Sequence, residues 1–276
     1  MAFVTRFAPS PTGYLHLGHA FSALCAFEAA QAAGGRFLLR IEDIDEGRRR
    51  PEFEAAILED LAWLGLAWES PVRRQSDHLA DYQRVLDDLI ARGLVYRCFR
   101  TRRELLAESA NAPHGATEAF RGAPLAAAEE AEKLAAGAPF AWRLSLDAAH
   151  AALGPEWAQL AFEADGARQP AQPALLGDAI LARKDTPTSY HLASVHDDAL
   201  QGVTEIIRGE DLREAAHLHT LLQALLGYPQ PRYRHHRLIL GADGKRLAKR
   251  DQAQTLRSLR MAGRTAAEIR ADLGFG

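Results

Sequence analysis

The 276-residue chain sets 33 Lys and Arg against 36 Asp and Glu, a formal net charge of −3, which excludes nucleic-acid binding driven by overall charge. No apolar run approaches the roughly 20 residues of a spanning helix, and Arg6 and Pro-Ser-Pro interrupt any signal-peptide pattern, so no membrane contact is expected. Two cysteines, Cys25 and Cys98, are too few for a disulfide framework, and the expected compartment is the reducing cytoplasm.

"AFVTRFA" (Ala2–Ala8) is predicted as a short strand, followed by a loop rich in Pro and Gly. Small and apolar residues from His19 to Ala33 predict a helix that Gly34 and Gly35 stop. "RFLLRIE" is a continuous apolar run, as in a strand of a parallel sheet buried on both faces. Pro51 suits the first turn of a helix running to Leu64, and a further helix is predicted from Asp77 to Arg92, ended by Gly93. This alternation predicts an α/β fold with a parallel sheet.

The rhythm then breaks. Thr101 and Glu104 have capping-box spacing, and Asn111 to Ala138 reads as an inserted loop with one helix. Strands are predicted at "FAWRLSL" and "AILARKD", and again from "YHLASV" to "TEIIRG". A helix from Glu214 to Leu226 ends at Gly227, and "GADG" leads into a basic loop before two short helices.

"RFAPSPTGYLHLGHA" joins a strand to a helix through a glycine-containing loop, the arrangement that leaves unpaired helix N–H groups facing a phosphate. His16 and His19 are three apart, so both can present imidazoles at that end, and Gly18 lets a flat base approach the backbone. The plain alternative is a turn with two surface histidines. Lys245, Arg246, Lys249 and Arg250 form a second candidate phosphate element, with a solvated basic turn as its alternative. "EGRRR", "FRTRR" and "RYRHHR" are further basic patches that make a local RNA contact plausible.

"HLGH" is one conservative change from HIGH, and "RLAKR" stands where KMSKS would, keeping its second lysine as Lys249. With "FLLRIEDID" and "DDALQGVTEIIRGEDL", these stretches resemble the glutamyl branch of class I aminoacyl-tRNA synthetases over most of the catalytic domain. The resemblance implies a Rossmann-like domain, a parallel sheet with flanking helices. An inserted α/β subdomain and a short helical C-terminus complete it. The implied divisions are 1–95 and 176–240 for the two catalytic halves, 96–175 for the insert, and 241–276 for the loop and tail. It implies glutamate binding by Arg6, Ser10, Glu42, Tyr190 and Arg208. ATP would contact Ala8, Pro9, His16, Gly18, His19, Arg246 and Lys249, with His16, His19 and Lys249 catalytic.

The chemistry of these residues agrees. Glutamate carries two carboxylates and one ammonium; Arg6 and Arg208 offer fork-shaped cations, Glu42 an anion and Tyr190 a phenol donor. A structural ion pair is the alternative for Glu42 and Arg208. In the basic loop, Arg246 keeps the charge of the first lysine, whereas Ala248 loses a hydroxyl, which predicts slower chemistry at most.

The stretch after Arg250 is too short for a helical domain of about 50 residues or more. That plan resembles the glutamyl-queuosine tRNA(Asp) synthetase family, which activates glutamate with ATP before meeting tRNA. It then esterifies glutamate onto the cyclopentene-diol of queuosine in the anticodon of tRNA(Asp). The expected partners are L-glutamate, ATP with Mg²⁺, and tRNA(Asp) bearing queuosine; the expected state is a monomer. Anticodon-loop nucleosides are accessible without melting a duplex. Many members bind zinc through Cys-x-Cys, a tyrosine and a third cysteine. Here Cys98 is followed by Arg100, Phe120 stands downstream, and only His114 could help, so zinc is not expected.

Two other enzymes fit less of the pattern: a truncated glutamyl-tRNA synthetase charging the 3′ end of tRNA(Glu), and a small-molecule nucleotidyltransferase of the HxGH superfamily. A non-catalytic ATP- or RNA-binding paralogue is a third possibility. Asp43 and Asp45 are candidate bases for the transfer step, with helix capping or ion pairing as their alternative.

Overall fold

The computed structural model describes residues 2–101, 104, 119–183, 186–239 and 254–275. The chain begins with strand β1 (Val4–Phe7), helix α1 (Leu17–Ala32), β2 (Arg36–Ile41), α2 (Pro51–Trp63), β3 (Arg73–Arg74) and α3 (Leu79–Ala91). It continues with β4 (Val95–Cys98), α4 (Ala127–Ala135), β5 (Ala141–Leu144), α5 (Leu146–Leu153), β6 (Ala161–Ala164), β7 (Ala167–Pro170) and β8 (Ile180–Arg183). It closes with α6 (Tyr190–Leu200), β9 (Glu205–Gly209), α7 (Ala215–Leu226), β10 (Arg232–His236), α8 (Leu256–Met261) and α9 (Ala266–Asp272).

The strands β1, β2 and β3 pair in parallel in that order, and β9 pairs in parallel with β10. Thr204 joins the two sets: its N–H donates to the Val4 carbonyl at 2.9 Å, and the Val4 N–H donates to its hydroxyl at 2.9 Å. The chain therefore winds outward from β1 in one direction and returns on the other side through β9. The crevice between the carboxyl ends of β1 and β9 is where such a sheet binds ligands. Gly35 makes the first crossover possible, because a Cβ there would lie 2.4 Å from the Phe3 carbonyl oxygen.

A second, antiparallel sheet in the order β4-β5-β8 carries the inserted stretch, and β6 and β7 form a hairpin beside β10. Thr101 and Glu104 exchange the reciprocal bonds of a capping box. Cys98 is buried on β4, and His114 lies outside the described residues.

One predicted strand is a helix. "YHLASV" opens α6, capped by Ser189, whose hydroxyl accepts from the Leu192 N–H. Leu192, Ala193 and Val195 bury a helical face, and a short apolar run satisfies either period until the cap is recognised. The predicted boundaries also shift: α1 starts at Leu17 rather than His19, and a 3₁₀ turn at Gln75–His78 precedes α3.

Helices α8 and α9 belong to the same core as α1 and α2, with Leu256, Leu259, Ile269 and Leu273 buried beside Leu15, Leu24, Ile57 and Leu61. Arg260 on α8 spans Glu59 at 2.6 Å and Asp60 at 3.4 Å on α2. Burial raises the Asp60 carboxyl to about 6 although Arg260 opposes it. A raised folded-state value favours folding below the ordinary 3.8, and that benefit is lost as pH rises through about 6. Asp60→Asn is therefore expected to be more stable than the parent at pH 7 by about 1 kcal/mol after allowance for screening. Paired thermal melts check this, and the gain should vanish near pH 4.

Candidate active site

After β1, the loop through Ala8, Pro9 and Ser10 delivers the chain to His16, which caps α1. The His16 Nδ1 accepts from the Gly18 N–H at 3.1 Å, and the His19 Nδ1 accepts from the His16 N–H at 3.2 Å. The two rings lie 3.8 Å apart between centroids. An imidazole that accepts at Nδ1 carries its hydrogen at Nε2 when neutral. Both histidines thus keep Nε2 as a donor at the positive end of the helix, suited to a phosphate oxygen.

This end of α1 borders a cavity of about 400 Å³ at the β1/β9 crevice. Arg6, Ala8, Pro9, Ser10, His16, Gly18, His19, Glu42, Tyr190 and Arg208 all line it, so ten residues expected from the sequence come together. A neighbouring cavity of about 690 Å³ shares Ser10, Thr12, Glu42 and Tyr190 with the first and extends toward the inserted sheet.

Arg208 carries the site's charge logic. It is buried, and among the described residues Nε, Nη1 and Nη2 have no hydrogen-bond partner. Its guanidinium lies 5.0 Å from the centre of the Tyr233 ring. A cation in this state is costly unless an anion arrives, and a planar fork fits a carboxylate. Glu42 supplies the opposite sign. Burial raises its carboxyl above the ordinary value, against the pull of Arg40 and Arg6.

Arg6 departs from expectation. It lines the cavity, but its Nε and Nη2 donate to Asp198 at 2.9 and 3.2 Å, leaving only Nη1 without a bond among the described residues. Asp198 also accepts from fully buried Arg40 at 2.8 Å, and Arg40 reaches Glu42 at 3.2 Å. Asp197 next door accepts from Arg73, Gln75 and Tyr82. This lattice holds Arg6 and Glu42 in place, and sequence reasoning missed its members. The available signals were an arginine inside the apolar run "FLLRIE" and the paired acids of "HDDALQG".

Asp43 and Asp45 take the plainer of their two roles. Asp43 accepts from the Ser76 backbone and hydroxyl and from Arg49, and Asp45 accepts from Arg48. The basic-loop residues Arg246 and Lys249 lie outside the described residues; of the flanking stretches, one lines the cavity and the other pairs with the start of α1. Ile239 lines the cavity on one side. On the other, Thr255 bridges His16, and the Leu256 N–H donates to the Leu15 carbonyl at 2.8 Å.

Residues 2–266 match the family described as tRNA synthetases class I (E and Q), catalytic domain. The chain belongs to that family. It is thus a ligase of the aminoacyl-tRNA synthetase class. A Rhodobacter capsulatus protein named glutamyl-Q tRNA(Asp) synthetase is 47% identical over 99% of this chain and 100% of its own length. A Nocardia farcinica protein of the same name is 40% identical over 96% of this chain and 82% of its own. The crystal structure of glutamate-tRNA synthetase from Elizabethkingia anophelis superposes with a TM-score of 0.75 at 29% identity. It is matched over 91% of this chain and 53% of that one, so this synthetase spans about half of that structure's length.

Proposed function

We propose that this synthetase activates L-glutamate with ATP and transfers it to the queuosine of tRNA(Asp), acting as a cytoplasmic monomer. The observation that carries the amino-acid assignment is buried Arg208, without a hydrogen-bond partner among the described residues, in one cavity with Glu42. The side-chain carboxylate of glutamate would fill the guanidinium fork, and its ammonium would meet Glu42. Glutamine would leave Arg208 uncompensated, which is a stronger rejection than a missing contact.

The α-carboxylate would attack the α-phosphorus of ATP and expel pyrophosphate. His16 and His19 at Nε2, the first N–H groups of α1, and Lys249 would stabilise the charge that spreads over the phosphates. Ala8, Pro9, Gly18 and Arg246 would complete the nucleotide site. Mg²⁺ would arrive on the triphosphate. The neighbouring cavity, which shares Glu42 and Tyr190, would receive the acceptor nucleoside. The halves 1–95 and 176–240 would thus hold the small substrates, with the insert at 96–175 facing RNA. The names of the relatives support this acceptor over the 3′ end of tRNA(Glu).

Pyrophosphate exchange with glutamate and no RNA tests the first step, and exchange is expected. Labelled glutamate is then offered to tRNA(Asp) with and without queuosine, and to tRNA(Glu). Label only on the queuosine-bearing tRNA is expected; equal labelling without queuosine, or labelling of tRNA(Glu), overturns the acceptor assignment.

A further inference from the structure

A hydroxyl that attacks the glutamyl adenylate must lose its proton. Among the described residues lining the second cavity, the titratable groups are Glu42, Asp45, Tyr190 and His191, beside the cations Arg48, Arg143 and Arg183. Asp45 is held by Arg48 at 2.6 Å, and Glu42 by Arg40 at 3.2 Å. A neutral phenol is a poor proton acceptor. His191 differs from all of these.

It sits in the first turn of α6, next to Tyr190, with its ring 5.3 Å from the Tyr190 ring. Its Nδ1 lies 3.1 Å from Nε2 of His219 on α7. His219 is only 1% exposed, and its ring also packs against Tyr190 at 5.7 Å. A base that lines the second cavity and is held at Nδ1 by a buried partner has the geometry of an oriented proton acceptor.

We infer that His191 is the general base of the transfer step and that His219 is its positioning residue. The inference rests on the acceptor proposed above. His191 donates its Nδ1–H to Nε2 of His219, which leaves the His191 Nε2 lone pair for the substrate. The acceptor oxygen attacks the carbonyl carbon of the adenylate and forms the ester bond. The bond from that carbon to the phosphate oxygen breaks, and AMP departs with the electron pair. The hydroxyl proton moves to Nε2 of His191.

The surroundings keep the pair uncharged at neutral pH. Burial, and then Arg208, lower His191 to about 4. Burial, followed by Arg208, His191 and Arg6, holds His219 well below its ordinary value. A substrate carboxylate seated on Arg208 cancels that cation's field, so His191 becomes a stronger base once glutamate is in place.

The test compares single-turnover transfer to queuosine-bearing tRNA(Asp) with pyrophosphate exchange, from about pH 5 to 9. His191→Gln is expected to lower the ratio of transfer to exchange by about a hundredfold or more at every pH in that range. His219→Leu should lower the ratio less, and His219→Gln, whose amide oxygen can accept the same hydrogen, should restore most of it. A His191→Gln protein with the parental ratio overturns the inference while leaving the acceptor reading intact. A parent that exchanges pyrophosphate but transfers nothing to this tRNA removes the acceptor reading and the inference with it.

Discussion

Arg208→Met is expected to melt about 3 °C or more above the parent and to activate glutamate roughly a thousandfold more slowly. The two effects have one cause. All three guanidinium nitrogens are buried without a partner among the described residues, so the empty protein bears the desolvation of a cation. Methionine fills similar volume without that charge, and removing an unpaired buried charge stabilises by about 1–3 kcal/mol. Activation suffers because the substrate carboxylate then enters an apolar wall. Differential scanning calorimetry and pyrophosphate exchange on one preparation check both halves. A variant that is less stable than the parent would show that Arg208 holds the fold together and was never waiting for a ligand.

Asp198→Ala is expected to act in the opposite sense, destabilising by about 3–5 kcal/mol. Asp198 is the shared counter-ion of Arg6 and Arg40, both buried, and its loss leaves Arg6 without a pair. Burial pushes the Asp198 carboxyl up, but Arg6 and Arg40 outweigh burial and hold it below its ordinary 3.8. Its contribution is therefore present above about pH 4 and is lost as pH falls through the lower folded value. Denaturant unfolding at neutral and acidic pH checks this: the gap between variant and parent should narrow on the acid side. Surviving Asp198→Ala protein should also bind glutamate more weakly, since Arg40 is then free to draw Glu42 away from the ammonium. Asp198→Asn keeps the acceptor oxygen and should fall between.

β3 (Arg73–Arg74) and β10 (Arg232–His236) are rich in arginine and were not legible as strands, whereas the other parallel strands hold apolar residues and the helices carry local stops. "RFLLRI" and Gly227 are examples: the run is buried, and the glycine ends α7 in the left-handed region with φ of 65°. "YHLASV" misled because the choice between strand and helix rested on Ser189, whose capping bond is a single hydroxyl. In the site, the residues that line the cavity were legible from motif and charge. Those behind them were not. Asp198, Arg40 and His219 come from distant stretches, and their significance is the pairing, which only the fold creates. Arg6 shows the cost of reading a residue alone: its charge is as expected, but Asp198 occupies two of its nitrogens.

The pairing of Thr255 with His16, and the burial of Leu256 and Ile269 beside α1, make the last stretch of the chain a structural part of its beginning. Helices α8 and α9 are thus anchored by side chains of α1 and α2 as well as by covalent continuity, so a peptide of residues 254–275 should dock in trans on a chain that ends at Ile239, a basis for fragment complementation.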